Sequence, residues 1–179
     1  MCFTIDFIHD SWFQALLLSL YLAGYYGMHS WLAGRRIMAT KQQGSRILFN
    51  SIAVIGFLPP LLLIAWQSHP LWNGTVLGLQ IFGVMLSIGG AFIVWKSFKQ
   101  FDTRAFLGMK SESADISLQT GGLYQYSRHP MYFGSFLLFT GAFFWRQDLL
   151  MLVFSVISIA YLFIGSRNEE KKLIRQFPD

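Results

Sequence analysis

Uncharged, mostly apolar residues fill four long stretches of the chain: Ser11 to Gly34, Ile47 to Trp95, His129 to Trp145 and Leu149 to Ser166. About 20 apolar residues are needed to cross the hydrocarbon core of a bilayer as a helix, so the second stretch is too long for one crossing. Near its middle stands Gln67-Ser68-His69-Pro70, a polar, proline-bearing break suited to a tight turn. The pattern therefore predicts five helices, at about 12–33, 47–66, 72–95, 130–146 and 149–166, in one all-α membrane bundle occupying 1–179. The last two are short. They are expected to cross nearly upright, to thin the bilayer, or to form a close hairpin through Arg146-Gln147-Asp148.

Composition agrees with that expectation. The 179 residues are 54% hydrophobic and 13% charged, where a soluble domain carries roughly 25% charged residues. Charge placement tests the span count independently. The segment before Trp12 holds Asp6 and Asp10 and no Lys or Arg, whereas the first loop holds Arg35, Arg36, Lys41 and Arg46. The central loop holds Lys96, Lys99, Arg104, Lys110 and Arg128, and the tail holds Arg167, Lys171, Lys172 and Arg175. Five spans with the N-terminus outside put every basic residue except Arg146 on the cytoplasmic side, as positive-inside topology requires. In a bacterium the host membrane would be the inner one. The net charge of +5 then favours anionic lipid headgroups as partners, and nucleic acid is excluded as a partner because the cations flank apolar helices. The first apolar stretch is expected to be retained, since it lacks a basic leader and is too long for a signal peptide. Cys2, the single cysteine, excludes an internal disulfide.

Small residues recur four apart, at Ser19, Ala23 and Gly27, at Gly74 and Gly78, and at Gly83, Ser87 and Ala91. Such rows suit close helix packing in lipid. Gly89-Gly90 could pack in the same way or admit a ligand. Pro59-Pro60 should kink or open the second helix, and the carbonyls freed there need bundle partners. His29 near the end of the first span is either a hydrogen-bonded bundle histidine or a wall of a substrate cavity. Tyr21, Tyr25, Tyr26 and Trp31 fit interfacial anchoring and core. The histidines at 9, 29, 69 and 129 lie in separate segments and form no zinc pattern. Ser135 is not in a nucleophile-elbow context, and no glycine-rich nucleotide loop follows a strand.

The chemistry gathers where the central loop, about 96–128, enters the fourth span. Gly121-Gly122 reads as a turn that brings Tyr124 to Arg128 onto the membrane face. Pro130 suits the first turn of a helix, which puts Arg128 and His129 at its N-terminus and Tyr132 just inside. Glu169 and Glu170 follow the last span on the same side, and the short turn at 146–148 brings them near Arg128 and His129. The result is a small pocket with both signs of charge at the bilayer surface. It suits a zwitterionic ligand, or else holds an interfacial salt bridge.

Three segments carry a family likeness: Gly122-Leu123-Tyr124, then Arg128-His129-Pro130-Met131-Tyr132-Phe133-Gly134, then Glu169-Glu170 through Phe177. Together they resemble the integral membrane methyltransferases of the isoprenylcysteine carboxyl methyltransferase and phospholipid methyltransferase superfamily. The likeness is strongest over 121–177, while His29-Ser30 looks more loosely like the NnrU and methanethiol S-methyltransferase branches. The resemblance implies S-adenosylmethionine in a cytoplasm-facing pocket, with about 96–179 as the cofactor-binding part. Tyr124, Arg128, His129 and Tyr132 would match the first half of the cofactor motif, and Glu169 or Glu170 the second. Phe133, Leu137 or Phe177 would cover the adenine. The acceptor, a small lipophilic or lipid-like carboxylate, thiol or amine, would arrive from within the bilayer. Arg167 could orient an anionic acceptor or merely anchor the helix at the cytoplasmic face. Where relatives continue into a Phe-Gly-x-x-Tyr-x-x-Tyr-like stretch, this chain reads Phe177-Pro178-Asp179. The competing function is a non-catalytic membrane protein that keeps the pocket as a partner or sensor. A transporter is disfavoured, because the spans lack internal charge and an inverted repeat.

Overall fold

The computed structural model describes residues 10–38, 55–71, 74–100 and 121–176, without the side chains of 32–38, 169, 172–173 and 175–176. The elements are α1 (Ser11–Met38), α2 (Leu58–Trp66), α3 (Leu77–Gln100), a 3-10 turn (Gly122–Gln125), α4 (Pro130–Arg146) and α5 (Leu149–Gln176). The protein is thus mostly helical. Among the described residues, two helical stretches are long and apolar enough to cross a membrane, Leu77–Gln100 and Leu149–Asn168. Helix α4 has the bounds the sequence predicts. Helix α5 runs ten residues beyond the predicted end at Ser166, so Glu169 and Glu170 stand on a helix rather than in a loose tail.

Of the predicted second helix, residues 47–54 lie outside the described residues. In the rest, the helical run breaks into a turn at Gly56-Phe57 and restarts at Leu58, with the prolines in its first turn. Pro60 has no N–H to offer the carbonyl four residues back. That carbonyl, on Gly56, instead accepts the Tyr21 hydroxyl of α1 at 2.8 Å. The expected opening and the expected bundle partner are both present.

Helices α3 and α4 pack closest, and glycine is the reason. A Cβ placed on Gly90 would lie 2.6 Å from the Gly134 carbonyl oxygen and the Leu138 nitrogen, and one on Gly141 would lie 2.5 Å from the Gly83 carbonyl oxygen. No side chain fits there, so the backbones themselves touch. The predicted row in α1 does not do this. Ala23 and Gly27 are exposed, and a Cβ on Gly27 or Gly78 would meet nothing within 4 Å. Helix α1 instead packs through large residues, Leu18, Leu22, Tyr25 and Tyr26, onto Leu150, Met151 and Phe154 of α5. These residues fill the gap that a small-residue seam would have closed by approach of the backbones.

The end of the bundle that carries the α2–α3 and α4–α5 connections is tied by polar groups. Gln147 adopts a left-handed conformation, φ 53°, as it ends α4. Its side-chain amide donates to the Val76 carbonyl and accepts from the Val76 N–H, both at 2.9 Å. Asp148 is wholly buried. One of its oxygens caps α5 at the N–H groups of Leu150 and Met151, 2.9 and 3.2 Å away, and the other accepts from the His69 N–H. The His69 ring meets the side chain of Gln14 in α1 at 2.8 Å. Arg146, the basic residue expected apart from the rest, donates to the Gln67 carbonyl at 2.6 Å. The predicted tight turn at Gln67–Pro70 is therefore bonded directly to the predicted hairpin turn.

Two pairs of glycine substitutions should move stability in opposite directions. Gly83→Ala and Gly90→Ala are expected to destabilise the detergent-solubilised protein by about 1–3 kcal/mol, the usual range for overpacking. Gly24→Ala and Gly27→Ala, on the open face of α1, should be neutral or stabilise by up to about 1 kcal/mol. Thermal unfolding of the four variants is the measurement.

Candidate active site between α4 and α5

The site is assembled from the C-terminal end of α3, the turn at 121–129, the first turn of α4 and the second half of α5. Gln100, the last residue of α3, accepts a hydrogen bond from the Leu123 N–H at 3.0 Å. Its side chain occupies the space where a Cβ on Gly122 would stand, and Gly122 has a positive φ of 65°. Both facts require glycine, since the left-handed region costs other residues steric strain. The predicted double-glycine turn is therefore present, and Gln100 holds it. Tyr124, half-buried, lies in the 3-10 turn that follows, where its N–H donates to the Gly121 carbonyl at 3.3 Å.

His129 is the residue before α4. Its N–H donates to the Ser127 hydroxyl oxygen at 3.2 Å, and its carbonyl accepts from the Phe133 N–H at 3.1 Å. Pro130 follows in the first turn of the helix, buried. The imidazole lies 5.6 Å from the Tyr132 ring, centroid to centroid. Tyr132 in turn reaches across to α5, where its hydroxyl would be 3.6 Å from a Cβ on Gly165. Gly165 thus gives the phenol a bed on α5, a role the sequence pattern did not signal.

Five residues beyond Gly165, Glu170 meets Arg128. The guanidinium donates to a carboxylate oxygen at 3.1 Å, with the side chains 77% and 44% exposed. An ion pair this open to solvent contributes about 0–1 kcal/mol to stability. It is a meeting of complementary charges that a ligand could open, rather than a structural clasp.

The other predicted site residues sort as follows. The Glu169 side chain is outside the described residues, as is Phe177. Phe133 is 53% exposed beside Tyr132, while Leu137 packs against Gly90 in the α3–α4 seam. Arg167 is not drawn into the pocket. Its guanidinium lies 4.6 Å from the Phe163 ring centroid, over an exposed aromatic. It stands three residues before Glu170, about 60° from it around the helix. Lys96 and Lys99 make similar contacts with Phe92 and Trp95, at 6.0 and 4.1 Å, at the C-terminal end of α3. The Ser135 hydroxyl bonds the Met131 carbonyl of its own helix at 3.0 Å. Among the described residues, no group of three His, Cys, Asp or Glu could hold a metal.

A second polar cluster lies toward the bundle's middle and joins α1 to α5. The Tyr161 hydroxyl meets His29 Nδ1 at 2.5 Å, and the Tyr26 hydroxyl meets the Ser158 hydroxyl at 2.7 Å. The Tyr26 and Tyr161 rings stack at 4.1 Å with 11° between their planes. His29 is therefore hydrogen-bonded within the bundle. Its partner lies 132 residues away, a separation at which a single sequence carries no signal of contact.

A family model described as phospholipid methyltransferase matches residues 79–179, which take in α3, α4 and α5 and hence the ion pair, Tyr132 and Gly165. The chain belongs to that family. It is a membrane methyltransferase, as the motif resemblance implies. Similar curated proteins carry a narrower name. A methanethiol S-methyltransferase of Crocosphaera subtropica is 28% identical over 92% of this chain and 69% of its own length. Methanethiol S-methyltransferase 1 of Bradyrhizobium diazoefficiens is 27% identical over 93% and 62%, and that of Pseudomonas deceptionensis is 27% identical over 93% and 68%. The chain thus spans about two thirds of the length of these relatives. No solved structure matches it.

If Gln100 and Gly122 hold the turn of this methyltransferase as described, Gly122→Ala should loosen it and Gly121→Ala should not. Limited trypsin digestion in detergent is expected to cut after Arg128 several-fold faster in Gly122→Ala, and at the unaltered rate in Gly121→Ala.

Proposed function

We propose that the protein binds S-adenosylmethionine at the inner ends of α4 and α5 and transfers its methyl group to a small thiol that enters from the bilayer. The observation that carries this reading is the Arg128–Glu170 pair at 3.1 Å, solvent-open and at the start of a helix. The amino-acid end of the cofactor bears one carboxylate and one ammonium. Arg128 offers the forked donor that binds carboxylates in two-point fashion, and Glu170 offers the matching anion for the ammonium. Glu169 is the alternative for that second role. Because the exposed pair is worth so little in water, inserting a zwitterion between its members loses little and gains two charge-assisted contacts. His129, Tyr132 and Tyr124 would line the middle of the ligand, and exposed Phe133 is the apolar cover available for the adenine.

When bound, S-adenosylmethionine supplies a methyl group already activated by its positive sulfur. The residues of this chain then have two tasks, to align an acceptor with that carbon and to keep water away. Tyr132, lying from α4 onto Gly165 of α5, supports both by closing the space beneath the ion pair. The thiol is favoured over carboxylate and amine acceptors by the name that the similar proteins share over more than nine-tenths of this chain.

The same proposal includes topology: five spans, the N-terminus outside, and the site facing the cytoplasm among anionic lipids. Lys96, Lys99, Arg128 and Arg167 all stand at the site end of the bundle and Arg146 at the other, which supports it. Arg167, laid over Phe163, is assigned to the headgroup layer rather than to the acceptor.

Titration of the purified protein in nanodiscs with S-adenosylmethionine tests the binding half. Arg128→Ala and Glu170→Ala should weaken it by about tenfold or more, as loss of a hydrogen bond to a charged group does, and Arg167→Ala should leave it within about twofold. Unchanged affinity in Arg128→Ala would refute the assignment. Feeding methyl-labelled cofactor with methanethiol to membranes should yield labelled dimethyl sulfide, whereas label in a phospholipid would return the acceptor to the lipid class. For topology, Ser68→Cys and Tyr126→Cys in a Cys2→Ser background are probed on intact cells with a membrane-impermeant maleimide. Only Ser68→Cys is expected to react.

A further inference from the structure

Helices α1 and α4 both pack on α5. The residues that α4 gives to the core they share, Phe139, Ala142 and Phe143, come from its outer half. Nearer the site, the α5 face that carries Gly165 presents Tyr161 one turn below, about 6 Å along the axis, and Ser158 below that. Tyr132 of α4 covers Gly165, and His29 of α1 holds the Tyr161 hydroxyl. The two tyrosine–serine and tyrosine–histidine pairs differ in one respect. Tyr26 and Ser158 are both buried and satisfy each other. Tyr161 and His29 are half-buried, and Tyr161 lies one turn from the glycine that Tyr132 covers.

We infer that Tyr161, backed by His29, takes the proton from a thiol acceptor. The inference rests on the methyl-transfer reading above. A cysteine thiol has a pKa near 8.5; a simple alkanethiol, without the electron-withdrawing amide groups, ionises only at higher pH, and less readily still in apolar surroundings, while the thiolate is the nucleophile. A thiol dissolved in the membrane therefore needs somewhere to put its proton, which a carboxylate acceptor does not. The step balances as follows. A lone pair of the thiol sulfur forms the new bond to the methyl carbon, and the carbon–sulfonium bond breaks with its electrons remaining on the donor sulfur. The S–H proton passes to the Tyr161 oxygen, the Tyr161 proton passes to His29 Nδ1, and the imidazolium later releases it to water. Tyr161 is then the catalytic residue, and His29 a positioning residue that acts through it. The titratable groups facing the pair are Tyr25 and Tyr26 of α1 and Tyr132 of α4, while the segment before α2 presents Phe57.

The extents of the two sequence matches point the same way. The phospholipid methyltransferase model begins at residue 79 and leaves α1 out. The match to the Crocosphaera protein named for a thiol covers 92% of the chain and so takes α1 in. His29 belongs to the part of the molecule that goes with the thiol-named relatives.

The test uses Tyr161→Phe, which keeps the ring and its stacking on Tyr26, and His29→Gln. Both should bind S-adenosylmethionine within about twofold of the unaltered protein and melt at similar temperatures. Methylation of methanethiol at neutral pH should fall about a hundredfold, in the range that general acid–base groups contribute. The deficit should shrink as the pH rises toward the thiol's own pKa. Independently of turnover, ¹⁵N-histidine spectra of the cofactor-free protein should show the His29 signal moving on addition of ethanethiol, and not in Tyr161→Phe. A deficit that does not change with pH, an unaltered rate, or a His29 signal indifferent to ethanethiol would overturn the inference and leave the pair as an interhelical tie. Failure of the unaltered protein to bind S-adenosylmethionine would instead overturn the function itself, and this step with it.

Discussion

Backbone contact between α3 and α4 is the constraint from which the site follows. With Gly83 and Gly90 against Gly141 and Gly134, the two helices approach as closely as main chains allow. In lipid, where burial of apolar surface gives helices no reason to associate, such contact is a principal source of cohesion. It also fixes register, because a slide of one residue would bring a Cβ onto a carbonyl. Gln100 at the end of α3 is thereby set beside the 121–129 turn, and the turn delivers Arg128, His129 and Tyr132 to α5. The chemistry at one end of the bundle is a consequence of four glycines in its middle.

The other attachment works by different means. Helices α1, α2 and α5 meet through large side chains, and polar groups close the end that carries the α2–α3 and α4–α5 turns. Asp148 accepts three backbone donors from two connections while buried, so its charge is compensated where an unpaired carboxylate would be expensive. Gln147 makes both of its amide bonds to a single residue, Val76. The α2–α3 and α4–α5 turns thus behave as one cap, and the freedom left to the helices lies at their opposite ends.

What could be seen in the sequence depended on whether the signal was local. Helix α4 is bracketed by Pro130 and by the polar Arg146-Gln147-Asp148, and the bounds drawn from those residues match the structure. The span expected at 149–166 lies within two residues of the apolar part of α5, Leu149–Asn168. Hydropathy reports only what lipid tolerates and is silent on the helix that Arg167 to Gln176 add beyond it. The convergence of Arg128 and Glu170 was legible because a three-residue turn leaves little choice about where two antiparallel helices meet. Packing faces were less so. Spacing by four picked out Ala23 and Gly27, which face outward, but also Gly83 and Ser87, which do meet Gly141, while the glycines that carry the contact are seven apart in both helices. Spacing does not say which face has a neighbour. Gly122 was legible as a turn residue, but the side chain that demands it, Gln100, was not. Gly165, Tyr161 and the partner of His29 required the fold itself.

The lengths of α4 and α5 have a further consequence. Seventeen residues reach about 26 Å and twenty-eight about 42 Å, against a hydrocarbon core of about 30 Å. Level at the 146–148 turn that joins them, the longer helix runs about 16 Å past the start of the shorter one, and most of that overhang is the charged stretch after Asn168. Arg128 and Glu170 occupy that step. The weak bond between them ties the start of the short helix to the overhang of the long one.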